Sequence, residues 1–126
     1  MPRILVVGAC AQTSADVCFL LAAWWWEALA AGSLDGALTL AADFRPEAAL
    51  VDLRAPGAGA ADAARRLRSA PGLGSACLVA MTERGNSDEA LTALQHGFRR
   101  CLPRPCRPDE LGRLLRWLER AWPPRR

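Results

Sequence analysis

In Arg3-Ile4-Leu5-Val6-Val7-Gly8 an unbroken apolar run, largely β-branched, follows the arginine and is stopped by the glycine. A strand without polar alternation has no face to offer water, so it belongs inside a parallel sheet covered on both sides. Ala48-Ala49-Leu50-Val51, the run Ala76 to Met81, and Arg99-Arg100-Cys101-Leu102 repeat the signal. Between these runs lie stretches of helical period: Ser14 to Ala23, Asp35 to Phe44, Ala60 to Ser69, Ser87 to His96, and Asp109 to Trp122. Ser87 and Pro108-Asp109 are good helix starts, because a side-chain oxygen can take up a free N–H and a first-turn proline sacrifices none. Gly97, after Leu94-Gln95-His96, is a good stop.

Strand and helix alternate throughout, which predicts an α/β domain with right-handed crossovers and helices on both faces. A second strand is needed between the first two helices, and Trp26-Glu27-Ala28-Leu29-Ala30 is the candidate. Trp24 to Ala31 could equally continue the first helix. The three tryptophans Trp24, Trp25 and Trp26 cannot all be buried by regular structure, so at least one should meet solvent or a partner.

At 126 residues the chain has the size of one domain, and its 52% hydrophobic and 23% charged content belongs to folded rather than disordered chains. We expect a domain over residues 1–122 and a tail or start of a linker over 123–126, where Pro123-Pro124 cannot extend a helix. Charged residues interrupt every apolar stretch before the roughly 18 residues a membrane span requires. The apolar run near Met1 is too short for a signal peptide, so a cytoplasmic location is expected. The five cysteines, Cys10, Cys18, Cys77, Cys101 and Cys106, have neither disulfide-framework nor zinc spacing. Buried packing is their expected role; redox sensing is the alternative. His96 is a lone helix-end residue with no visible partner. All sixteen basic residues are arginine. Residues 99–126 carry nine of them against three acids, so one end of the domain is basic.

In such a fold ligands bind beyond the carboxyl ends of the strands. Asp52 ends an apolar strand there, near Thr82 and Arg104 at the ends of its neighbours. An acid, a hydroxyl and a cation meet. On chemistry alone this is as much a structural ion pair as a working site.

Ala49-Leu-Val-Asp-Leu-Arg-Ala-Pro-Gly57 and Leu102-Pro-Arg-Pro-Cys-Arg-Pro-Asp-Glu-Leu111 decide further, together with Ala90-Leu-Thr-Ala-Leu-Gln-His-Gly97. In order and spacing these segments resemble the receiver domains of bacterial response regulators, over essentially the whole chain. The resemblance implies a doubly wound, flavodoxin-like sheet of five parallel strands in the order 2-1-3-4-5, flanked by five helices. It matches Asp52 to the aspartate that accepts a phosphoryl group from a histidine kinase. Thr82 matches the responding hydroxyl, and Arg104 the lysine that contacts the phosphoryl oxygens. The Arg104-Pro105 bond is a candidate cis bond, as at the equivalent place in that family.

The departures are equally specific. The family has two adjacent carboxylates after the first strand, where this chain has Gly8-Ala9; with Arg54 these are the positions of a degenerate metal site. Asp52 is left as the one matched metal ligand, and Mg²⁺ gives up water reluctantly, so two missing anionic ligands should weaken binding severely. Glu83 and Asp16 are the carboxylates left to replace them. Arg104 is expected to hold Asp52 bidentately. Glu83 adds bulk and negative charge just after Thr82, and Cys101 stands where the family's switching aromatic sits.

The expected function is therefore a degenerate receiver of a two-component phosphorelay, acting by protein contact rather than by turnover. Its partner would be a histidine kinase or a downstream signalling protein. A working phosphoacceptor at Asp52, with Mg²⁺ as its cofactor, is the alternative. A small phosphate- or nucleotide-binding enzyme is a distant third, because Val7-Gly8-Ala9-Cys10 lacks a phosphate-binding glycine motif. The last helix sets Leu111, Leu114, Leu115, Leu118 and Trp122 on one face and Arg113, Arg116 and Arg120 on the other. With Trp117 these arginines form the candidate partner face, and a homodimer through the last strand and last helix is possible by resemblance. Nucleic acid would be met only through a separate output domain.

Overall fold

The computed structural model describes residues 1–122; the expected tail over 123–126 lies outside the described residues. In chain order the elements are β1 (Arg3–Val7), α1 (Ala11–Ala23), β2 (Glu27–Ala31), α2 (Leu34–Phe44), β3 (Ala48–Asp52), α3 (Ala60–Ser69), β4 (Cys77–Glu83), α4 (Ser87–Gln95), β5 (Arg100–Arg104) and α5 (Pro108–Ala121). The five strands form one parallel sheet in the order β2-β1-β3-β4-β5. The alternation foresaw the α/β layering, and the strand order is the one the resemblance implied.

The apolar runs sit where their composition requires. β1 and β3 lie between neighbours, and Ile4, Leu5, Val7 and Ala48 to Val51 are fully buried. Alternate side chains feed two cores. Leu5, Val7, Ala49 and Val51 pack with residues of α2, α3 and α4, while Ile4, Val6 and Leu50 pack with residues of α1 and α5. α5 buries Leu111, Leu114, Leu115 and Leu118 against the second core, as its spacing predicted.

The ambiguity at the tryptophans resolves in favour of a strand, shifted by one residue from the candidate. α1 ends at Ala23, and Trp25 takes a left-handed backbone (φ 65°), which stops the helix. Trp26 then drops into the core at 2% exposure beside Val17 and Leu21, and β2 begins at Glu27. A continued helix would have left one side of β1 unpaired. Trp25 is 77% exposed and Trp24 lies over α5 at Gly112, so only one of the three is buried. Other boundaries move by up to three residues. α1 starts at Ala11 instead of Ser14, and β3 and β4 run on to Asp52 and Glu83. Among the described residues no helix is long and apolar enough to cross a membrane.

Candidate functional site

Asp52 is the last residue of a central strand, so neighbours on both sides close over it and leave it 2% exposed. A buried carboxylate must be paired and hydrogen-bonded. Arg54 does most of this: its Nε donates to Oδ1 at 3.3 Å, its Nη2 to Oδ2 at 3.0 Å, and its backbone N–H to Oδ1 at 2.9 Å. The turn after β3 explains why. The Asp52 side chain accepts from the N–H two residues on, and the same turn folds the Arg54 guanidinium back over the carboxylate. Bonding to Asp52 raises the Arg54 pKa, with burial opposing it.

The bidentate grip expected of Arg104 belongs instead to Arg54. Arg104 Nη1 reaches Asp52 Oδ1 at 3.1 Å, but the same nitrogen donates to the Met81 carbonyl at 2.7 Å. Its Nη2 lies 3.7 Å from Glu89 Oε1. Approaching from β5, two strands away, Arg104 spans the end of β4 and spends its donors on the way. Arg54 approaches head-on.

Thr82 is buried at 3% exposure in the same rim, paired in register with Pro103. Among the described residues the Asp52 carboxylate accepts from Arg54 and Arg104 and not from Thr82. Glu83 lines a cleft of about 460 Å³ with Thr13, Arg54, Met81, Arg104, Pro105 and Cys106. Asp16 accepts from Gln12 on the exposed side of α1. Glu89 was not anticipated. It sits at the start of α4, where Asn86 caps its N–H, and its carboxylate accepts from the Glu83 N–H beside Arg104. The spacing Asn86 to Glu89 before an apolar run was a usable signal for it.

A magnesium site of the receiver type does not fit these residues. Among the described residues no three of His, Cys, Asp or Glu stand together as a donor set. Gly8 is buried, and a Cβ built there would lie 1.8 Å from Ser14 Oγ. Ser14, itself 8% exposed, has taken the space that a first carboxylate would need. Ala9 is exposed and offers no ligand. Arg54 places a cation against Asp52 Oδ2, the remaining acidic oxygen.

The rest of the rim is braced. Arg84 forks onto Glu110 at 3.0 and 2.7 Å and donates to the Pro105 carbonyl at 2.9 Å, which ties the loop after β4 to the start of α5. The Arg104-Pro105 bond is cis, as the resemblance implied. Cys10 and Cys106 do lie at this end of the sheet. Burial pushes the Cys106 thiol up to about 11, whereas bonds from the backbone and side chain of Thr13 lower that of the exposed Cys10. Cys77 and Cys101 lie on adjacent strands, but Cys101 registers with Ala80, out of step with Cys77.

The candidate partner face divides in two. Arg113 and Trp117 line a hollow with Arg100, Leu102 and Pro103, and the Arg100 guanidinium lies 4.3 Å from the Trp117 ring centre. Arg116 turns the other way, 5.3 Å from the Trp24 ring centre. Arg120 is exposed near the end of α5, and Trp117 is half-buried.

No protein-family model matches the sequence, and no curated protein matches it. Solved structures do. A CheY-like response regulator receiver domain from Methylobacillus flagellatus superposes with a TM-score of 0.83 at 21% identity, covering 94% of this chain and 99% of its own. The chemotaxis response regulator CheY4 of Vibrio cholerae gives 0.82 at 18%, covering 92% and 97%. The receiver domain of the Pseudomonas aeruginosa sensor histidine kinase PA1611, solved with magnesium in its active-site cleft, gives 0.79 at 22%, covering 96% of each. Strand order, parallel pairing and these superpositions agree that the chain has the fold of the response regulator receiver domains.

Proposed function

We propose that the chain is a receiver-like module of a two-component phosphorelay that signals through protein contact, its aspartate held by arginine instead of being poised for magnesium-dependent phosphorylation. One observation carries this reading. Both oxygens of Asp52 are engaged by the Arg54 fork while Ser14 fills the space beside Gly8. Phosphoryl transfer to a carboxylate needs a free oxygen in line with the phosphorus and cations aimed at the phosphoryl oxygens. Here the carboxylate is the acceptor in an internal fork, and the nearer cation is spent on it. Asp52, Arg54 and Arg104 act as a structural ion triad that closes the end of the sheet. Gly8 and Ala9 are the lost metal positions, and Thr82 is a buried hydroxyl near the end of β4, the strand next to that of Asp52.

The partner is a histidine kinase or a downstream signalling protein, met in the cytoplasm. The hollow at Arg113 and Trp117 supports the β5 and α5 side as the contact. No catalytic turnover is assigned.

The test is incubation with Mg²⁺ and acetyl phosphate, and separately with beryllofluoride, read by phosphate-affinity electrophoresis and tryptophan fluorescence. No modification and no spectral change are expected. Stoichiometric phosphorylation at Asp52 would establish the working phosphoacceptor in its place.

A further inference from the structure

The sheet has two edges, and the sequence treats them differently. An exposed strand edge is a template for another chain, and proteins guard it with charge or proline. β5 is guarded: Arg100 is exposed, Arg99 precedes it, and Pro103 has no N–H to offer. β2 is Glu27-Ala28-Leu29-Ala30-Ala31, with one charge, at its start, and no proline or bulge.

The bonding pattern of β2 is set by its ends. Glu27 N–H donates to the Pro2 carbonyl and Gly8 N–H donates to the Ala31 carbonyl, each at 2.9 Å. Glu27 and Ala31 therefore face β1, and with a period of two so does Leu29. Ala28 and Ala30 turn both N–H and C=O outward, and among the described residues nothing bonds to them. Ala30 is exposed.

The geometry points to β2 as the pairing edge for β2 of a second copy, antiparallel about a twofold axis at Leu29. The register follows from the strand itself. With Leu29 on the axis, Ala28 stands opposite Ala30 of the partner subunit, and the two exchange both hydrogen bonds as a hydrogen-bonded antiparallel pair. The axis repeats that pair on its other side. The result is one continuous sheet with a self-complementary contact.

Charge favours a second copy. Glu27 falls opposite Ala31, not opposite another acid, and Arg3 Nε already lies 3.6 Å from Glu27 Oε1. The flank is apolar as well. Ala15 of α1 borders a shallow hollow with Ala30 and Ala31, and Phe19, one turn further along the same stripe, is 77% exposed. Asp16 is the one charged residue in α1, so two α1 helices brought side by side by the paired strands would bury the phenylalanines without opposing like charges in number. This edge lies at the far side of the sheet from β5, which leaves the Arg113 and Trp117 hollow free for a different protein.

Sedimentation velocity of the full chain, over a series from micromolar to millimolar, tests the pairing. The expected result is a particle of twice the chain mass that falls to one chain mass in Ala30→Pro, which deletes one outward N–H and leaves the β1 ladder whole. Ala30→Lys should do the same, and decides the matter if the proline variant fails to fold. Hydrogen exchange adds a residue-level readout: the Ala28 and Ala30 amides should lose protection on dilution while the Leu29 amide keeps it. A single-chain mass throughout the series would overturn the proposal. So would a dimer that survives both Ala30 variants, or one that Trp117→Ala dissolves.

Discussion

Arg54 Nη2 lies 3.0 Å from Asp52 Oδ2, and the guanidinium that makes this contact is half exposed while the carboxylate is 97% covered. The aspartate at the end of the central strand is thus sealed from solvent by a side chain from its own turn.

The two arginines should contribute unequally. Arg54→Ala removes a fork from the solvent side, where screening discounts it, and should cost about 1 kcal/mol. Asp52→Ala strands Arg104, whose side chain is 12% exposed, beside the Met81 carbonyl with only Glu89 as a distant counter-charge. Breaking a buried pair by removing one partner costs about 3 kcal/mol. Urea unfolding of the two variants measures both, and equal losses would contradict the structural ion-triad reading.

Gly8 and Ser14 should be strongly coupled. Gly8→Ala puts a methyl 1.8 Å from Ser14 Oγ, so the hydroxyl must rotate out of its place, and with the Ser14 Cβ still at 3.2 Å the change should destabilise by about 1 kcal/mol. Adding Ser14→Ala removes the oxygen and leaves only the Ser14 Cβ position at 3.2 Å, so the double variant should recover most of the loss. A double-mutant cycle with no coupling energy would show that α1 shifts freely.

Stability should fall at both ends of the pH scale for identifiable reasons. The hydrogen bonds from Arg84 hold the Glu110 carboxyl below its ordinary 4.5. A depressed folded pKa contributes stability that is fully present above the unfolded value and is lost as pH falls through the folded one. Glu110→Gln should therefore flatten the acid limb of the urea midpoint below about pH 4.5. Burial raises Cys77 and Cys106 from 9.0 to about 11, so the unfolded chain releases these protons first. Stability should drop as pH rises from 9.0 to about 11, and Cys106→Ser should shallow that limb.

Thiol reactivity should rank by the same chemistry. Cys10 is exposed with a lowered pKa, and Cys77 is fully buried with a raised one. At neutral pH iodoacetamide should modify Cys10 first and Cys77 only on unfolding, as peptide mass mapping would record. Cys10→Ser should abolish the fast phase.

The fold was legible because its signals are local. Burial on both faces is written into Arg3–Val7 and Ala48–Val51 as runs without alternation, and the helix starts at Ser87 and Pro108 need only their own neighbours. Asp52 at a strand end, with Thr82 and Arg104 near it, could be placed in this way, whereas Gly8 and Ala9 drew notice only through the resemblance to receiver domains. What tertiary structure alone decided is how long side chains and empty spaces are used. An arginine has enough rotatable bonds to reach several partners, so whether Arg54 or Arg104 forks onto Asp52 depends on the turn after β3 and on the Met81 carbonyl lying in the path of Arg104. That Gly8 brings no side chain to the end of β1 is visible in the chain, but the Ser14 hydroxyl lying against it is a contact between β1's end and α1 that no local pattern encodes. The same holds for the tryptophans: their sequence showed that they could not share one environment, and only the packed sheet assigned Trp26 to the core, Trp24 to α5 and Trp25 to solvent.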